Sequence, residues 1–399
     1  MRKPFVRFLV FILYFSLLIL PILDFLIVEE SMVVGRGPNV IVRAIITGEM
    51  ILILLFREVR RAKLNNGIVP SIIFLMFYIV AISLWFSPNM STVYEIVKIE
   101  LPLLGFLCFY YLTKRSRLDE KMLSYFFFLL IVIVATIAYL NLGIRINSNR
   151  GLTKADNTGY ALVCTYAGIM FLTNKKVFPI TLFFVIIGTV ICGKRGAIIA
   201  LCLATLPLLK YMFSNRQWSK GKKVVYTILM AVLALVAIRF FSTYFDATIE
   251  RFQTIEESGG SGRDMVYMNY WNQFKDSNPI NQLFGHGLFA GTHSSGNKYA
   301  FTYVAAHNDW LELLFDFGVV GTIVYVWVFI LMLRILIRNR KNKNKYYYML
   351  VMSFFIWFTK SIFSSTFLMD VNSIYLFMTT AYAIAKLEQQ NNEPATIPI

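Results

Sequence analysis

Residues 122–142 read MLSYFFFLLIVIVATIAYLNL, without one charged side chain. That is the ~20 residues an α-helix needs to cross the hydrocarbon of a bilayer. Comparable apolar runs recur at 5–28, 38–56, 68–86, 93–112, 157–173, 177–192, 196–213, 223–241, 317–338, 346–365 and 372–387. About twelve spans are therefore expected, the two across 177–213 being short enough to be re-entrant or tilted. With 57% hydrophobic and 15% charged residues, the chain has too much apolar surface for one soluble core, and the bilayer must act as its solvent. The expected fold is all-α: a polytopic bundle forming one transmembrane domain over 1–387, followed by a polar, disordered tail at 388–399.

The formal charge of +17 would fit nucleic acid in a soluble protein, but the cations here lie in short loops between apolar runs. Topology explains them better, and no nucleic-acid partner is expected. Basic clusters at Arg57/Arg60/Arg61/Lys63, Lys114/Arg115/Arg117/Lys121, Lys175/Lys176, Arg216/Lys220/Lys222/Lys223 and Arg338/Arg340/Lys341/Lys343/Lys345 occupy alternate loops, on the side of the N-terminus. By the positive-inside rule that side is cytoplasmic, and both termini belong to it. The run after Arg2, Lys3 and Arg7 is too long for a signal peptide, lacks a small-residue cleavage site, and reads as an uncleaved anchor. Cys108, Cys164, Cys192 and Cys202 all fall in spans, with neither a disulfide framework nor a metal spacing, and read as small buried residues.

On this topology the long polar segment 242–316 faces outward, and it carries all three histidines, His286, His293 and His307. Cations also sit on the outer side, where charge topology gives no reason for them: Arg36, Arg145, Arg150, Lys194, Arg195, Arg251 and Arg263. A guanidinium fork suits a phosphate or diphosphate because it donates two parallel charge-assisted hydrogen bonds. For any single arginine, snorkelling to the headgroups is an equally good reading. Arg43, Glu49, Glu95, Lys98, Glu100 and Lys360 lie inside spans at a cost of roughly 3 kcal/mol each, and pairing within the bundle is the simplest expectation for them.

Several short motifs, taken in order, resemble the O-antigen ligase and O-antigen polymerase superfamily. They are Arg150-Gly151-Leu152 followed by Asp156-Asn157; Gly193-Lys194-Arg195-Gly196-Ala197 after an apolar span; Ser261-Gly262-Arg263 before Trp271; and Ala306-His307-Asn308 running through Leu311 to Gly318 and Gly321. The ten residues between Arg251 and Gly262 are similar to a spacing in polymerase loops of that family. The resemblance implies a GT-C-like membrane glycosyltransferase, in the bacterial inner membrane, that moves a glycan from undecaprenyl diphosphate to an acceptor hydroxyl. It implies that Arg195 and Arg263 grip the donor diphosphate and that His307 is the base. Arg150, Lys194, Arg251, Asn157, Asn308, Asp309 and Tyr267 follow as substrate-binding candidates.

The chemistry of the residues agrees. Negative charge grows on the leaving diphosphate as the glycosidic bond breaks, which preorganised arginines stabilise, and a neutral imidazole takes the acceptor proton. No Asp-x-Asp pair is present to hold a divalent ion, so metal-independent transfer without a cofactor is expected, with inversion by single displacement. His286, between two glycines, reads as a turn residue and His293 as a solvated loop residue. Tyr267, one turn after Arg263 if 263–274 is helical, is placed to orient a sugar or the arginine, although packing serves equally for it, Tyr270 and Trp271. Expected partners are the lipid-linked oligosaccharide, membrane lipids, and the chain-length regulator and flippase of the same pathway. Three functions fit: a polymerase of lipid-linked repeats, a ligase transferring glycan to a lipid A core, and a flippase. The concentration of polar residues in one outer segment favours an enzyme, and the Gly/Ser stretch between Arg251 and Arg263 favours the polymerase.

Overall fold

A computed structural model describes residues 2–27, 38–56, 67–86, 90–147, 156–173, 175–215, 263–290, 305–365 and 372–392, with short pieces at 219–221, 223–224 and 228. Every regular element among them is helical. In chain order these are α1 (Arg2–Ile27), α2 (Pro38–Leu55), α3 (Ile68–Phe86), α4 (Met90–Lys114), α5 (Glu120–Asn147), α6 (Thr158–Tyr166) continued by a 3-10 turn (Ala167–Phe171), α7 (Phe178–Ile191), α8 (Arg195–Ser214), α9 (Arg263–Lys275), α10 (Pro279–Phe284), α11 (Asp309–Arg338), α12 (Lys345–Phe363) and α13 (Ser373–Asn392).

A helix stands at each expected span except 223–241, which falls almost wholly outside the described residues. Among the described residues, six segments are by length and composition able to cross a membrane: Pro4–Leu26, Ile68–Phe86, Val93–Lys114, Glu120–Ile144, Arg195–Ser214 and Asp309–Arg338. Thr158–Phe171 and Phe178–Ile191 are apolar but shorter. Long exposed apolar side chains such as Phe8, Phe11 and Phe15 on α1 and Phe74, Phe77 and Trp85 on α3 give these helices the outward surface that lipid requires.

At the centre, α13 is buried on nearly all sides from Ser373 to Glu388 and packs against α4, α12 and α6. It does not stop at the boundary expected at 387 but runs to Asn392, because its last turns have partners. Glu388 meets Lys114 at 2.8 Å and accepts the Tyr110 hydroxyl at 2.7 Å, while Gln389 donates to the carbonyls of Thr113 and Lys114. At the same end Glu120 receives Lys345, Tyr346 and Tyr382. These ties gather the basic loops after α4 and α11 at one end of the bundle.

Most charges within the bundle are paired as expected. Arg43 binds Asp24 at 2.9 Å and the Tyr94 hydroxyl at 3.2 Å, Glu95 meets Lys98 at 3.3 Å, and Glu49 accepts the Ser16 hydroxyl at 3.0 Å. The second oxygen of Glu49 has no hydrogen-bond partner. Lys360 is held by a carbonyl and a hydroxyl, and buried Glu100 has no hydrogen-bond partner for either oxygen. Cys108, Cys164 and Cys192 are buried thiols, but Cys202 is exposed on α8.

Candidate active site

The end opposite the basic loops is built first by the turn between α7 and α8. Gly193, at φ 64°, donates its N–H to the Val190 carbonyl at 3.0 Å and closes α7. Lys194 is then extended, and Arg195 opens α8 with its side chain exposed. The start of a helix presents unsatisfied N–H groups and the positive end of its dipole, an arrangement that favours anions.

The start of α6 lies alongside. The Asp156 N–H donates to the Cys192 carbonyl at 2.9 Å, and Asp156 Oδ1 accepts both the Thr158 N–H and hydroxyl at 2.9 Å. Asn157 is exposed at the head of α6, and a Cβ at Gly159, two residues on, would lie 3.7 Å from the Lys194 Cβ, so this end of α6 packs against the α7–α8 turn. Tyr160, one turn further along α6, stands directly over Gly196. A Cβ at 196 would collide with the Tyr160 hydroxyl and reach the Phe363 Cβ at 2.6 Å, so close packing of α6, α8 and α12 accounts for this glycine.

The histidine side of the site is the entry to α11. Asn308 caps the helix, its Oδ1 accepting the N–H groups of Trp310 at 3.0 Å and Leu311 at 3.2 Å, a cap worth about 1 kcal/mol. Its Nδ2 donates to the Ile362 carbonyl at 3.3 Å, and the next carbonyl, that of Phe363, accepts the Tyr160 hydroxyl at 3.3 Å. The end of α12 thus joins the α6/α8 corner to the His307 loop. His307 itself is exposed, with its backbone in the left-handed region at φ 52°, and its N–H donates to Glu312 Oε1 at 2.8 Å.

Asp309 occupies a different place from that expected of a substrate ligand. It is fully buried, and its Oδ2 accepts the Tyr325 hydroxyl at 3.1 Å, an oxygen that also accepts the Trp357 indole N–H at 2.9 Å. This chain anchors the first turn of α11 in the core.

Arg263 opens α9, which docks on α11 through a small apolar cluster of Val266, Tyr270, Ala306 and Phe315, with Tyr267 and Leu311 packed against it. Tyr267 is half-buried at the edge of this cluster. Burial pushes the Tyr270 phenol above its usual range, and the Asp316 and Glu312 carboxylates add to the shift. Packing of Tyr270 against Ala306 sets α9 beside the residue that precedes His307.

His286 is a structural clamp. Its ring stacks on Phe315 at 4.4 Å, Nδ1 meets the Phe315 carbonyl at 3.0 Å, and Nε2 meets the Ser277 hydroxyl at 2.9 Å. Glycines at 285 (φ 88°) and 287 (φ 92°) form the tight turn around it. That turn seats against a break in α11 at Gly318, whose φ 66°, ψ −170° belongs to a region open essentially only to glycine. A Cβ there would come within 2.6 Å of the Gly285 nitrogen.

The structure thus places Asn157, Lys194, Arg195, His307 and Asn308 at one end of the bundle, with α9 packed against Ala306 just before His307. Arg36, Arg150, Arg251 and His293 lie outside the described residues, and only the backbones of Arg145 and Arg263 are described. Tyr160, Ser365 and Glu312 complete the surroundings without a motif that marks them in the sequence. Lys360, singled out in the sequence only as a costly charge within a span, lies beside Tyr160, with its ammonium 5.5 Å from the ring centre. Residues 180–326 match the family model described as O-antigen ligase, a stretch that includes Arg195, Arg251, Arg263 and the run from His307 to Gly321. No curated protein matches the chain.

Proposed function

We propose, for a membrane protein whose central region carries the signature of the O-antigen ligase and polymerase superfamily, that it transfers a glycan from undecaprenyl diphosphate to an acceptor hydroxyl. The observation that supports this most is the meeting, across the end of α12, of an arginine-bearing pair of helix starts with an exposed histidine. Arg195, joined by Arg263 and Lys194, holds the diphosphate. The acceptor oxygen attacks the anomeric carbon as the bond from that carbon to the diphosphate oxygen breaks. The acceptor proton passes to the His307 imidazole, and the diphosphate leaves with its charge held by the arginines. A single displacement inverts the anomeric centre, and arginine takes the part a divalent ion would play on a nucleotide-sugar donor.

Because charge on the diphosphate grows toward the transition state, cations fixed by helix starts act more on the rate than on ground-state binding. Asn157 is placed to meet the donor beside Arg195. Asn308 acts through the helix it caps.

The acceptor we propose is a second lipid-linked repeat, which makes the protein a polymerase of the plasma membrane working beside a flippase and a chain-length regulator. The sequence of the Arg251 to Arg263 segment supports this by setting arginines on either side of a Gly/Ser run. Transfer to a lipid A core is the second reading, favoured by the description of the matching family model. The glycan profile of a deletion strain separates the two. A polymerase leaves acceptors bearing a single repeat and removes the ladder of longer chains. Loss of all glycan from the acceptor, with long polymer retained on undecaprenyl diphosphate, would establish the ligase instead.

A further inference from the structure

A buried polar chain connects the two halves of the site. Lys360 is fully buried near the end of α12, where its Nζ donates to the Ser365 carbonyl at 2.8 Å and to the Ser373 hydroxyl at 3.2 Å. Its ammonium lies 5.5 Å from the centre of the Tyr160 ring, the same ring that stands over Gly196. The Ser365 hydroxyl donates to Glu312 Oε2 at 2.8 Å, and Glu312 Oε1 accepts the His307 N–H at 2.8 Å. The relay from the α8 corner to the histidine therefore runs Tyr160, Lys360, Ser365, Glu312, His307.

A non-glycine residue with positive φ persists only where its surroundings hold it there. His307 precedes the cap residue of α11, so the regular hydrogen bonds of that helix do not fix it. Glu312 reaches back over more than one turn to accept the N–H of His307. Its carboxyl is buried, with one oxygen on Ser365 and the other on the His307 backbone, which leaves it poorly placed to meet a substrate. We infer that Glu312 is a positioning residue for His307, holding its left-handed backbone so that the imidazole stays at the surface, with Ser365 and Lys360 locking the carboxyl in place. The inference rests on the reading of His307 as the proton acceptor.

The test is a set of purified full-length variants assayed for kcat and KM with a lipid-linked oligosaccharide donor. Glu312→Ala lowers kcat about a hundredfold while KM stays within about threefold, the split expected when an interaction serves the transition state. Glu312→Gln keeps an amide oxygen for the His307 N–H and stays within about fivefold of the parent. In the His307→Ala background Glu312→Ala has no further effect, because residues acting as one unit are not additive. Ser365→Ala, a smaller change, lowers kcat about tenfold at an unchanged unfolding temperature, and decides the matter if Glu312→Ala does not fold. Equal losses in the parent and His307→Ala backgrounds, or a Gln variant as impaired as the Ala variant, would overturn the inference while leaving the base intact. Turnover near the parent value in His307→Ala alone would instead remove the base, and this inference with it.

Discussion

Arg195 and His307 carry the chemistry proposed here, and each makes a distinct demand on its side chain. If Arg195 holds a diphosphate by two parallel hydrogen bonds, lysine keeps the charge but loses the fork. Arg195→Lys is accordingly expected to lower kcat/KM about ten- to a hundredfold at normal protein levels, as read by release of polyprenyl diphosphate. Activity equal to the parent would show that Arg195 only sits at the headgroup level. Both residues stood out in the sequence as candidates because each lies in a short motif, Arg195 at the head of an apolar run and His307 in the polar segment that leads into one. Glu312 and Ser365 were not legible as a pair, since 53 positions separate them and only the packing of α11 against the end of α12 brings them together. Lys360 was read as a costly cation within a span; its contacts with the Ser365 carbonyl, the Ser373 hydroxyl and the Tyr160 ring, which tie it to the site, come only from the packing of the folded bundle.

At the scale of elements, glycines decide how closely the helices meet. Gly196→Ala places a methyl group against the Tyr160 hydroxyl and the Phe363 Cβ, and overpacking of this kind costs about 1–3 kcal/mol. Because Tyr160 belongs to the relay toward Glu312, this variant is expected to lose transfer by about tenfold or more even where its membrane level is normal. Full activity would mean that the α6/α8 contact yields without consequence. Gly318→Ala is a harsher change, because it violates both the backbone region and the space before Gly285. Its thermal unfolding in detergent should begin well below that of the parent, in line with a strain of about 3 kcal/mol. The sequence pattern marked Gly318 and the turn around His286 separately. Their interlocking was hidden, since it arises from backbone carbonyls that meet only in the folded bundle.

Across the whole molecule, the alternation of apolar runs and basic loops carried most of the fold: a helix stands at each expected span among the described residues. The number of membrane crossings was less legible. Six segments satisfy length and composition together, while the short α6 and α7 are apolar without reaching the length of a span. The basic loops after α4 and α11 gather at one end through Glu120 and Glu388, and Arg195 and His307 stand at the other. By the positive-inside rule the site end is expected to face out of the cytoplasm. A reporter active only outside the cytoplasm should then be active when fused near Ser294 and silent near Asn342; the opposite pattern would place the site on the wrong side for its proposed donor.

The most direct measurement is single-turnover transfer by the purified protein from a polyprenyl-diphosphate oligosaccharide, with donor binding and product release followed separately for the parent and His307→Ala. The parent should release one polyprenyl diphosphate for each glycosidic bond formed. The variant should bind donor within about threefold of the parent and release polyprenyl diphosphate roughly 10²–10⁴ times more slowly, the range set by loss of a general base. A His307→Ala variant that binds donor and turns it over at the parent rate would contradict this mechanism.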